Sequence, residues 1–319
     1  MIISPKKDAV KFFRAFFRIY TFLFNNNHKY SLNIHFPRMH EIHILFALTK
    51  FHHYDRINTI KILVLRCKMS QFHISESNII IENKIYSGSH FAREVHADGN
   101  KYGTFRTYTV LVDGNNITFR NCVFENTAGK GEDVGQALAL YLDGDNITLE
   151  NCTLKGHQDT LFLAPLPEKE IIPGGFLGPK QFTERKNHTF YFKNCVIEGG
   201  VDFIFGGATA YFENCEFISV EEGYVFAPST PQNVEKGFVA KNCRFTATKN
   251  VAPHSCYIAR PWRDFGAVEL IDCYLGEHIH PDGFDDWGKT HAHSTVRFIE
   301  RASYGEGANK HRAPFVRVE

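Results

Sequence analysis

Six short segments of this chain share one pattern, and their spacing leaves few folds open. They read ITFRNCVF around Cys122, ITLENCTL around Cys152, FYFKNCVI around Cys195, AYFENCEF around Cys215, FVAKNCRF around Cys243 and VELIDCYL around Cys273. Each joins a β-prone run to an Asn (Asp272 in the last copy), then a Cys, then a second apolar residue. Successive cysteines lie between 20 and 43 residues apart. A strand motif that stays fixed while its connections vary indicates coils of one solenoid with loops of unequal length. One copy is too short to bury a face, and stacking the copies buries a continuous core. A propeller would need a more even period and four strands per repeat. The spacing therefore predicts an all-β fold, a right-handed, single-stranded parallel β-helix over residues 79–319.

The cysteines and asparagines of the motif have separate expected roles. Equivalent positions in stacked coils lie about 4.8 Å apart. That distance suits a column of small buried thiols. One Cys per coil in the same place does not look like a set of pairs, and no C-x-x-C spacing offers a metal site. Interior packing is preferred over disulfides or metal binding. The Asn before each Cys is expected at a bend, its amide bonding its neighbours along the stack. Asn-x-Thr triplets such as Asn116-Ile117-Thr118 are read as solenoid chemistry before glycan acceptors.

Composition narrows the partners. Lys+Arg 36 against Asp+Glu 35 gives a formal net charge of +1, so no basic field attracts nucleic acid. Hydrophobic content of 43% with 22% charged residues is that of a globular chain. No apolar run of about 18 residues is present, so no membrane span is expected. Residues 1–78 match the pattern poorly and are assigned to an atypical N-terminal extension. Within them Phe12–Phe24 (FFRAFFRIYTFLF) has the apolar content of a signal core. Arg14 and Arg18 interrupt it, however, and Asn25–Asn27 follow where a cleavage site would stand. A poorly matched extension is preferred to a cleavable signal or an interfacial helix.

A second column carries candidate chemistry. Asp159 follows Cys152 at the same offset as Asp202 follows Cys195. Coils in register place the two one above the other. Two carboxylates so close cannot both ionise cheaply, so one pKa rises. An Arg beside the other holds it charged. Gln136 precedes this column, Gln158 sits within it, and Arg260 with Trp262 follows it. The two amides are neutral donors suited to a developing oxyanion. A lone Asp beside Gly usually caps a turn, but two in register, flanked by two Gln and an Arg, indicate a catalytic site. Phe162, Tyr224 and Trp262 fall on strands where a polymer groove would want aromatic platforms, whereas Phe205 is assigned to the core. The Pro- and Gly-rich stretch Leu163–Arg185 interrupts the repeat between the two aspartates and is expected to wall the groove.

These motifs resemble the pectin methylesterases (pectinesterases), carbohydrate esterases with a pectin lyase-like parallel β-helix. The resemblance rests on GQALAL (Gly135–Leu140), GHQDTLF (Gly156–Phe162), VDFIFG (Val201–Gly206) and ARPW (Ala259–Trp262). GTFRTYTV (Gly103–Val110), which contains Thr104, GYVFAPSTP (Gly223–Pro231) and GEHIHPDGFDDW (Gly276–Trp287) add to it. It covers roughly residues 79–319, and the long insert points to the bacterial branch. The family's opening G-x-Y-x-E strand is not found in residues 1–78. The resemblance implies a roster of roles: Asp202 the nucleophile, Asp159 the general acid and then base, Gln136 and Gln158 the oxyanion donors, Arg260 the partner of the nucleophile. It also implies that Trp262 packs against sugar rings, and Phe162, Tyr224 and Thr104 join it as candidate substrate contacts. The implied reaction is hydrolysis of methyl-esterified polygalacturonate to pectate and methanol through an acyl-enzyme, with no metal or other cofactor. Pectin or an oligogalacturonide is the expected partner, and the protein is expected to be a monomer. The substrate class favours an extracellular or envelope location. A glycoside hydrolase on the same fold and a non-catalytic pectin-binding β-helix are the rival readings. Paired Gln amides argue against the first, because glycoside cleavage develops a cation.

Overall fold

The computed structural model describes residues 71–319. The segment Phe12–Phe24 and most of the expected extension lie outside them. Among the described residues, strands form three parallel sheets of seven, nine and seven strands. Through Tyr274–Leu275 successive strands pass from one sheet to the next, so each circuit adds one strand to every sheet, and the last two strands, Arg297–Arg301 and Val316–Val318, both extend the nine-stranded sheet. This is a parallel β-helix, as the repeat predicted. The first sheet stacks Phe72–Ile74, Val110–Val112, Leu140–Leu142, Leu161–Leu163, Ile204–Gly206, Tyr224–Pro228 and Tyr257–Ala259 in that order. Strand Phe72–Ile74 pairs with Val110–Val112, so the solenoid reaches back into the segment assigned to the extension. No helix among the described residues is long and apolar enough to cross a membrane.

The Asn–Cys motif makes the corner between the second and third sheets. Asn121, Asn151, Asn194, Asn214, Asn242 and Asp272 all adopt φ between 51° and 53°. Asn and Asp enter this left-handed region at low cost, which explains their recurrence there. Their amides bond along the stack, as Asn194 Nδ2 donates to Asn151 Oδ1 at 3.3 Å. A second ladder runs through Asn146, Asn116 and Asn78, joined at 2.8 and 2.9 Å. The Asn116 triplet thus serves the solenoid. The turn at each Asn drives the following Cys inward. Cys122, Cys152, Cys195, Cys215, Cys243 and Cys273 are buried free thiols. Each donates weakly to backbone, as Cys195 Sγ does to Lys193 O and Leu149 O, both at 3.4 Å.

The core has two compartments. The interior holds the Cys column with rows such as Phe119, Leu149, Phe192 and Phe212. The second lies outside the first sheet, where Leu111, Tyr141, Phe162 and Phe205 face away from the interior and are buried nonetheless. Phe105, from the loop before Val110–Val112, wedges against Phe162 at 4.9 Å between ring centroids. The insert lies over this face. Phe176 meets Phe105 and Trp262 edge-on at 5.9 and 6.2 Å. Lys180 bonds Asp113 at 2.6 Å and lies 3.6 Å from Asp143. A sheet buried on both faces reads as near-continuous apolar sequence, which LALYL, DTLFL and DFIFG show.

Candidate active site

Asp159 and Asp202 occupy the corner leading from the third sheet into the first. Both adopt left-handed backbone, φ 62° and 50°. Each stands the same distance before its strand, and Leu161 pairs with Ile204 in register. Asp159 N donates to Val201 O at 3.0 Å, so the two turns are bonded to one another. The aspartates are neighbours in adjacent coils, their backbones about 4.8 Å apart. Each is only 7% exposed.

Arg260 decides how the pair shares charge. It lies two coils beyond Asp202, at the end of strand Tyr257–Ala259. Its Nε donates to Asp202 Oδ1 at 2.7 Å and its Nη2 to Oδ2 at 2.6 Å. To reach there the guanidinium passes between two rings, 3.8 Å from the Tyr224 centroid and 3.7 Å from that of Trp287. Such a sandwich fixes its plane and leaves the fork aimed at one carboxylate. Burial pushes both aspartates up. On Asp159 the neighbouring Asp202 charge adds to burial, Arg260 offsets it only in part, and the carboxyl stands well above the usual range. On Asp202 burial also raises the pKa, but the Arg260 hydrogen bonds and charge pull it back. No group among the described residues hydrogen-bonds the Asp159 carboxyl. A pair so arranged keeps its shared proton on Asp159 and its negative charge on Asp202.

Gln136 and Gln158 lie on adjacent coils, joined by Ala137 N donating to Gln158 O at 3.1 Å. Both side chains are half-buried. Among the described residues neither side-chain amide has a hydrogen-bond partner, so both remain available to a ligand. His157, beside Gln158, lies with Nδ1 3.2 Å from Glu221 Oε1. That contact spans the intervening coil at Gly200, where a Cβ would meet Glu221 Cγ at 2.2 Å. Glycine at that position lets the side chain cross the Asp202 turn. Among the described residues no three His, Cys, Asp or Glu side chains are grouped to hold a metal.

The aromatic assignments divide. Tyr224 stacks on Tyr257 at 5.4 Å and abuts Arg260, within the site. Trp262 is half-buried, its edge against Phe205 at 5.6 Å, at the margin where the insert ends. Arg263 ties that margin to the insert by donating to Lys169 O at 3.0 Å. Phe162 does not serve as a platform. It is fully buried beneath Phe105 and Phe205, because the insert and the preceding loop close over the strand face it occupies. Phe205, at 4% exposure, belongs to the same core, as the sequence indicated. Thr104 opens a single 3-10 turn, Thr104–Arg106, which presents Phe105 to that core. The sequence reading passed over Trp287, 38% exposed, and the His157–Glu221 contact. Trp287 ends the motif GEHIHPDGFDDW, and a tryptophan closing an aspartate-rich turn was the available signal.

A pectinesterase family profile matches residues 77–165 and 182–316, leaving out most of the insert. Pectinesterase 31 of Arabidopsis thaliana is 32% identical over 217 residues, covering 67% of this chain and 60% of that protein. A pectinesterase of Petunia integrifolia is 30% identical over 218 residues, covering 64% of this chain and 51% of that protein. The chain thus spans between half and two thirds of the length of these relatives. Among solved structures, the pectin methylesterase from carrot superposes with a TM-score of 0.63 at 24% identity, covering 78% of this chain and 77% of that one. The pectin methylesterase from Yersinia enterocolitica superposes with a TM-score of 0.62 at 23% identity, covering 78% and 85%. Plant and bacterial structures share the fold alike. With the profile running through both aspartate turns and the Arg260 strand, the chain belongs to the pectinesterase family.

Proposed function

We propose that this protein hydrolyses methyl esters of pectin, releasing methanol and leaving a free uronate. The observation that carries the reading is the asymmetry of the aspartate pair: Arg260 grips Asp202 with two hydrogen bonds, while the Asp159 carboxyl in the next coil is buried and accepts none among the described residues. One carboxylate is kept anionic and the other protonated, which an ester hydrolysis by covalent catalysis requires.

The steps follow from that division. An oxygen of Asp202 attacks the ester carbonyl carbon, and the carbonyl electrons move onto oxygen. The amides of Gln136 and Gln158 donate to that oxyanion. Collapse breaks the bond to the methoxy oxygen, which takes the Asp159 proton and leaves as methanol. The acyl group now forms an anhydride with Asp202. Asp159, ionised, takes a proton from water. The resulting hydroxide attacks the acyl carbon, Asp202 departs as carboxylate, and Asp159 again holds a proton. Arg260 keeps Asp202 charged before attack and after release. A neighbouring fold member has been solved as a pectin methylesterase in complex with a hexasaccharide, which supports an oligogalacturonide or the polymer as the ligand. Tyr224, Trp262 and Trp287 line the margin such a chain would follow.

The test is an assay of the purified full-length chain on highly methylated pectin. Methanol release without new reducing ends supports the proposal. New reducing ends without methanol would replace it with glycoside cleavage, and binding without either product would make the protein a pectin-binding solenoid.

A further inference from the structure

Among the described residues the Gln158 amide has no hydrogen-bond partner, yet an oxyanion donor must be held in place before the charge develops. What holds it is contact. Gly131 opens the short helix Gly131–Val134, in the loop that joins strand Val123–Asn126 to Gln136. It is buried, and its carbonyl accepts from Gly135 N at 2.8 Å. A Cβ built on Gly131 would lie 2.5 Å from Gln158 Oε1, 2.8 Å from its Cβ and 3.3 Å from its Cδ. The side chain of Gln158 is therefore laid along the bare Cα of Gly131 from its root to its amide.

We propose that Gly131 is a positioning residue that sets the Gln158 amide for oxyanion stabilisation. The inference rests on the ester-hydrolysis reading of this site. The backbone of Gly131 is not in the left-handed region, and alanine is favoured over glycine in a helix. Conformational freedom thus gives no reason for glycine here, and the close approach to Gln158 does. The loop carrying Gly131 also carries Gln136. The contact therefore locks the loop of one donor against the side chain of the other, across two coils. Any side chain at 131 must rotate the Gln158 amide away or lift the loop.

Gly131→Ala is expected to lower kcat for methanol release by about 10- to 100-fold, the scale of a misplacement of about 1 Å, with KM little changed and thermal stability retained. The substitution is made again in a Gln158→Gly background, which removes the Gln158 Cβ as well as its amide. There it is expected to cost nothing further, because the group it acts through is gone. An equal loss in both backgrounds, or a Gly131→Ala enzyme with full kcat, overturns the proposal. A crystal structure of Gly131→Ala gives a reading independent of activity. A Gln158 side chain superposing on that of the unsubstituted protein also overturns it. Absence of methanol release from the unsubstituted chain, by contrast, sinks the esterase reading, while the crystal structure still decides whether Gly131 sets the Gln158 side chain.

Discussion

Two corners of the same solenoid use one backbone device for opposite ends. At the corner between the second and third sheets, Asn121, Asn151, Asn194, Asn214 and Asn242 turn the chain in left-handed conformation. At the corner between the third and first sheets, Asp159 and Asp202 do the same. An amide both donates and accepts, so stacked asparagines satisfy one another, as Asn214 does with Asn194. An ionised carboxylate only accepts, so stacked aspartates cannot. In the first column side-chain amides bond one another at several steps, Asn121 with Asn83, Asn194 with Asn151 and Asn214 with Asn194, and stabilise the coil. The second is an open conflict, relieved by a proton on Asp159 and by Arg260 on Asp202. On the proposed mechanism, reactivity comes from placing the wrong residue for a ladder at a ladder position.

The largest expected break in that contrast is Asp202→Ala. Methanol release should fall by more than about 10⁴-fold, while pectin binding, followed by isothermal calorimetry, persists. Asp159→Asn should lower kcat by about 10²- to 10⁴-fold. It should also reshape the pH profile. The proposed mechanism needs Asp202 ionised and Asp159 protonated, so on that mechanism activity is lost as pH falls through the first group and again as it rises through the second. Removal of Asp159 abolishes the alkaline limb. The same substitution should stabilise the fold. Asp159 has a raised folded-state pKa, so the native state binds more protons than the unfolded one, and stability declines as pH rises above the unfolded carboxyl value near 4. Asparagine carries no such cost. Thermal denaturation should show a gain at neutral pH that disappears in acid.

Arg260→Lys comes next, with an expected loss of about 10- to 100-fold in kcat, because a point charge replaces neither the two-point fork nor the fit between Tyr224 and Trp287. The smallest effect belongs to the other corner. Asn194→Ala places a Cβ-bearing residue without a bonding side chain at φ 52° and should destabilise by about 1–2 kcal/mol in urea titration, with kcat unchanged. Asn194→Gly should cost less. A change in kcat from either would mean that the two columns are coupled.

Much of this arrangement was legible from residue order. The Asn–Cys spacing gave the parallel solenoid, and equal offsets from Cys152 and Cys195 aligned Asp159 with Asp202. Arg260 was legible from the column as a cation beside one aspartate, and the family motif named Asp202 as its partner, but nothing in its spacing reveals a reach across an intervening coil. Phe162 misled for a related reason. It faces outward on its strand, where a platform belongs, and only the folded insert with Phe176 and Phe105 makes that face a second core. The strand Phe72–Ile74 was passed over because three residues carry no period of their own.

The chain by itself determined the coil, the ladders and the vertical alignment of the acids, since each follows from a local turn repeated at a fixed offset from a strand. Tertiary structure decided which acid Arg260 grips, which aromatic is left exposed and what packs against Gln158. Those depend on Arg260, Trp287, the insert and Gly131. Each of these reaches its target across coils or from a loop, where contact is made through space and leaves no period in the sequence.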